Sequence, residues 1–148
     1  MAEPFRTGIH IDAPPERVFA YFTDPDAMVA WMGERARLEP RPGGVFAVRV
    51  RGVDVRGEYL ELDPPRRLLF SWGHEGSAEL PPGASTVEVR LTPAGDGTAV
   101  VLEHRDLPAA RASGHARGWR MFLGRLAGAA ASGSAVTVPP EPCSGDTV

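Results

Sequence analysis

A chain of 148 residues with 43% hydrophobic and 24% charged content has the size and composition of one globular domain, which excludes a disordered or fibrous protein. The formal charge of −3 sets 19 acidic residues against 16 basic ones, all of them arginine and scattered along the chain, so nucleic-acid binding is disfavoured. The one cysteine, Cys143, allows no intrachain disulfide, and no stretch approaches the ~18 apolar residues of a membrane span, so a cytoplasmic location without a membrane partner is expected.

Residues 5–11 (FRTGIHI) read as a short strand closing at Asp12-Ala13-Pro14-Pro15, where Asp12 can cap a helix and proline suits its first turn. Val18, Phe19 and Phe22 then recur at helical spacing over residues 15–22, and Thr23-Asp24-Pro25 restarts a second short helix through Trp31. From residue 35 the period turns alternating, with turn signals every several residues. Strands are expected at 35–39, 44–51, 55–62, 67–73, 85–92 and 98–104, paired antiparallel because the connections are short.

Side-chain parity assigns faces to several strands. Phe46, Val48 and Val50 oppose Arg49 and Arg51; Leu68, Phe70 and Trp72 share one side; Val87, Val89 and Leu91 face inward, with Thr86, Glu88 and Arg90 outward. Strand 55–62 is ambiguous: Leu60 and Leu62 inward would carry Glu58 inward, with Glu61 solvated, whereas Tyr59 would serve the opposite face. After Leu107-Pro108 a long helix runs to about Ser132, with His115, Trp119, Phe122, Leu126 and Ala130 on one stripe. Gly114, Gly118, Gly124 and Gly128 lie within it at roughly 0.5–1 kcal/mol each relative to alanine, which calls for close backbone approach or room left for a ligand. Residues 1–131 are thus expected to form one domain and 132–148 a mobile tail.

The order strand, two short helices, six-strand meander and long helix is an α+β helix-grip arrangement, a curved antiparallel seven-stranded sheet around the last helix. The segments DAPPERVFAYFTDPDAMVAWM (12–32), PGGVF (42–46), GEYLELDPPRRLLFSW (57–72), GTAVVLEHRDLP (97–108) and HARGWRMFLGRLAG (115–128) resemble the SRPBCC, or START-like, superfamily. Within it they most resemble the branch named after the activator of the 90-kDa heat-shock-protein ATPase. The resemblance implies a cavity between sheet and long helix, used across the superfamily for lipids, sterols, polyketides and plant hormones. It implies ligand contacts from Trp31 at the mouth, from Phe46, Val48, Phe70, Trp72 and His104 on the sheet, and from Trp119, Phe122 and Leu126 on the helix. The eukaryotic co-chaperone carries a separate N-terminal chaperone-binding domain, whereas four residues precede the first strand here, which argues against chaperone activation.

Three functions are compatible with these residues. The first is binding of a small hydrophobic or aromatic molecule, with affinity from apolar burial and orientation from His104 and a tryptophan N–H. The second is a cyclase-, aromatase- or hydrolase-like enzyme in which Glu58 and His104, the candidate catalytic pair, move protons; against it, Arg56 or Arg90 would pair Glu58, and backbone carbonyls would satisfy His104. The third is a co-chaperone-like interaction module. No metal or other cofactor is expected, since His10, His74, His104 and His115 lack ligand spacing, and the chain is expected to be a monomer or homodimer.

Overall fold

The computed structural model describes residues 5–78, 80–107 and 109–131; the expected tail at 132–148 lies outside the described residues. The elements run β1 (Phe5–Ile11), α1 (Pro15–Ala20), α2 (Pro25–Met28), β2 (Arg35–Leu38), β3 (Val45–Val50), β4 (Val53–Asp63), β5 (Arg67–Trp72), β6 (Ser85–Ala94), β7 (Gly97–Arg105) and α3 (Ala109–Ala131). The seven strands make one antiparallel sheet in the order β1-β7-β6-β5-β4-β3-β2, so β1 closes the meander by pairing with β7. This is the expected α+β helix-grip architecture, with α3 packed over the inner face of the sheet.

The two short helices start differently. Asp24 caps α2, its carboxylate accepting the Ala27 N–H at 3.2 Å. Asp12 does not cap α1: the cap position is Pro14, without a side-chain hydrogen bond, and Pro15 supplies the pre-set φ of the first turn. Asp12 instead sits 3.3 Å from the His10 ring. Both helices also end earlier than their apolar spacing suggests, at Ala20 and Met28, because single turns continue the chain to the sheet.

Directly paired residues share a face, so the register writes the inner surface row by row. Tyr59, Phe70, Val87 and His104 form one such row, and Leu62, Leu68, Val89 and Leu102 another. The ambiguity in β4 resolves through a bulge: pairing passes from Tyr59–Phe70 to Glu61–Leu69, leaving Leu60 as the extra residue. Val55 and Tyr59 therefore face inward ahead of the bulge and Leu62 after it, while Leu60 is exposed. Of the two alternatives, the one with Tyr59 inward is realised up to the bulge, and Glu58 lies on the exposed face.

On the outer face Glu88 points as its parity requires but is only 3% exposed, because arginines from three strands close over it. Arg67 of β5 donates to it at 2.6 Å and Arg90 of β6 at 2.9 Å, and Arg105 of β7 bonds its other oxygen. Burial alone would raise the Glu88 pKa; the Arg67 hydrogen bond and the charges of Arg90, Arg105 and Arg67 outweigh it and hold the carboxyl below its ordinary range.

Candidate functional site

The inner face is anchored to α3 through one histidine. His104 is fully buried on β7, and its Nδ1 accepts the Trp119 Nε1–H at 2.9 Å. That acceptor role puts the ring proton on Nε2, which donates to the Ser85 hydroxyl at 2.9 Å, and Ser85 in turn donates to the Trp72 carbonyl at 2.8 Å. The chain from helix through β7 and β6 to β5 leaves neither ring nitrogen available. Burial first, then the neighbouring His115 and His74 charges, push the His104 pKa down to about 3, so the ring is neutral.

Beside this network lies a cavity of about 340 Å³, open on one side. The β3–β4 hairpin contributes Val50, Arg51, Val53 and Val55 to its wall, and Trp72 and His74 at the end of β5 form its floor. Gly114, His115, Gly118, Trp119, Met121 and Phe122 of α3 form its roof. The rings make a cluster: Trp72 and Trp119 centroids are 5.1 Å apart, and His74 and His115 stack at 5.4 Å with planes 16° apart. A Cβ built on Gly114 or Gly118 would meet nothing within 4 Å, so these glycines leave space above the ring cluster and do not allow a close backbone approach.

One polar atom of a lining residue lacks a partner among the described residues. Trp72 is 4% exposed, and its indole Nε1–H is buried with no hydrogen-bond acceptor among the described residues. Such a group forfeits roughly 1–3 kcal/mol until it is satisfied.

Of the residues expected to contact a ligand, Trp72, Trp119 and Phe122 line the cavity. Phe46, Val48, Phe70 and Leu126 do not; they are core, with Phe46 and Phe70 stacked at 4.2 Å and Tyr59 edge-on to Phe46 at 5.7 Å. Trp31 is not at a mouth but 1% exposed, its Nε1–H donating to the Tyr21 carbonyl at 2.9 Å and its ring edge-on to Phe22. His104 stands one bond behind the wall, through Trp119. Arg51, Val53, Val55, His74 and Met121 join the cavity without having been expected there. The hairpin carrying Arg51 folds back beneath α3, a long-range contact that strand parity does not encode.

Among the described residues no group of three or more His, Cys, Asp or Glu side chains could hold a metal ion, and no helix is long and apolar enough to cross a membrane.

A seven-stranded antiparallel sheet with a long helix over its inner face and a side cavity between them defines a helix-grip protein. The chain belongs to the family described as Activator of Hsp90 ATPase homolog 1-like protein, whose model matches residues 12–131. It is similar to the solution structure of an AHSA1-like protein from Rhizobium etli, at 42% identity over 100% of this chain and 93% of that one, with a TM-score of 0.72. The Aha1 dimer from Colwellia psychrerythraea shares the fold at TM-score 0.79 and 17% identity, over 90% of this chain and 99% of that one. A curated relative, uncharacterized protein C1711.08 of Schizosaccharomyces pombe, is 33% identical over 61 residues, 41% of this chain. The match spans only 18% of that relative's length.

Proposed function

We propose that this chain binds a compact, mostly apolar small molecule in the cavity between the β3–β4 hairpin, the end of β5 and the N-terminal half of α3. The observation that carries the reading is the cavity itself, about 340 Å³ walled mainly by valines and aromatic rings, which Gly114 and Gly118 leave unfilled beneath α3. A bound molecule would cover the surrounding valines and aromatic rings, and the apolar area removed from water would supply the affinity. At about 340 Å³ the space lies at the lower end of the usual range for ligand sites, roughly 300–1,000 Å³, which suits one or two fused rings better than a sterol or a folded polyketide chain.

The enzymatic reading draws no support from this geometry, since Glu58 is on the exposed face and both nitrogens of His104 are occupied. Co-chaperone-like binding rests on the family description alone. Native mass spectrometry of freshly purified protein tests the proposal. A co-purifying small molecule, displaced in Gly118→Leu where a side chain fills the space under α3, is the expected result. Wild-type and Gly118→Leu proteins that both stay empty and take up no aromatic probe would overturn it.

A further inference from the structure

We infer that the molecule taken by this cavity carries an anionic group, a carboxylate on a compact aromatic body, and that Arg51 receives it; the inference rests on the binding reading above. The wall is one-sided in its charge. None of its residues is acidic, and the one side chain in it that is always charged is the Arg51 guanidinium, which carries only donors. A cation without an acidic neighbour in the lining is best matched by an anion.

Arg51 is held at the rim in an unusual way. With Gly52 it forms the two-residue turn between the paired Val50 and Val53, at φ of 52° and 82° respectively. Both turn positions are therefore left-handed, a geometry that hairpins fill with Asn-Gly or Gly-Gly and that a long β-carbon-bearing side chain adopts at a cost. Glu34 accepts the Arg51 backbone N–H at 2.7 Å and fixes the turn, while the guanidinium makes one polar contact among the described residues, with the Met121 sulfur at 3.3 Å. Thioether sulfur is a weak acceptor, so the charge is directed to α3 and the cavity without being neutralised there. Arg51 is the one arginine among the residues that line the cavity. A strained arginine at a ligand rim, without a carboxylate partner and in a lining that holds no acidic side chain, fits a carboxylate clamp.

The test compares 2-naphthoate with its neutral counterpart 2-naphthamide by isothermal titration against wild type, Arg51→Asn and Arg51→Lys. Asparagine suits the left-handed turn position and removes the cation; lysine keeps it. The expected result is naphthoate binding about tenfold or more tighter than naphthamide, a gap that narrows in R51N and persists in R51K. Equal binding of the two probes, or an undiminished gap in R51N, overturns the anion assignment while leaving a binding cavity. Failure of both probes to bind wild type overturns the cavity reading as well.

Discussion

His104 shows how one residue ties three strands and a helix together. Its inward direction is legible from the alternation Val100, Leu102, His104, but its partners are 15 and 19 residues away on other elements, so its role is not. The ring acts as a relay of fixed polarity, receiving from Trp119 and giving to Ser85, and that is a positioning role. Replacing it with phenylalanine keeps the apolar bulk, strands the Trp119 N–H and leaves the Ser85 hydroxyl only its bond to the Trp72 carbonyl. His104→Phe is expected to lower unfolding stability by about 2–4 kcal/mol in urea titrations, from two buried polar groups losing partners. An effect below about 0.5 kcal/mol would mean that the relay contributes nothing beyond packing.

At the scale of elements, the meander and the long helix follow from periodicity, whereas the cavity does not. Strand bounds fall within about two residues of the alternating runs because turn residues such as Gly95 mark them. The facing of Glu58 is ambiguous in the sequence for a reason local to β4: a bulge adds one residue, so Tyr59 and Leu62 both face inward and no single alternation runs through the strand. The aromatic set was recognised as inward but divided by packing, with Phe46, Phe70 and Trp31 filling core while Trp72 and Trp119 border space. What separates the two groups is the missing side chains of Gly114 and Gly118, visible in the sequence as unexplained helix glycines. Gly124 and Gly128 likewise have nothing near a built Cβ but lie away from the cavity. Gly124→Ala and Gly128→Ala are each expected to stabilise the protein by roughly 0.5–1 kcal/mol without changing ligand uptake, read by thermal unfolding and titration. Gly57→Ala is expected to do the opposite, losing about 2–3 kcal/mol or more, because its Cβ would overlap the Ser71 carbonyl oxygen on β5. If Gly57→Ala folded with wild-type stability, the close passage of β4 past β5 would be wrong.

Across the whole molecule the two faces of the sheet carry opposite electrostatic strategies, and acid should expose them in sequence. Inside, His104 is kept neutral: its pKa of about 3 lies below the ordinary ~6.5, so the unfolded chain binds a proton that the native protein refuses. Its stabilising contribution is full above pH ~6.5 and is lost at about 1.4 kcal/mol per pH unit as the pH falls toward 3, or about 2 kcal/mol between pH 6.5 and 5. Outside, Glu88 is kept charged: its pKa lies below the ordinary carboxylate value, so its contribution is full above pH ~4.3 and is lost only as the pH falls through the carboxylate range. Denaturant titrations from pH 7.5 to 4 should therefore show a wild-type slope beginning near 6.5 that His104→Phe removes. Glu88→Gln should keep that upper slope and start lower at pH 7 by about 2–3 kcal/mol, less than a fully buried pair because its arginines are 32%, 36% and 60% exposed. That same exposure makes the outer network sensitive to 1 M salt, where screening reaches ~3 Å, while the burial that keeps His104 neutral is not screened. Salt should thus shrink the Glu88→Gln deficit and leave the upper slope in place. A wild-type curve that matches His104→Phe in slope from pH 6.5 to 5 would show that the inner histidine is not held neutral by the fold.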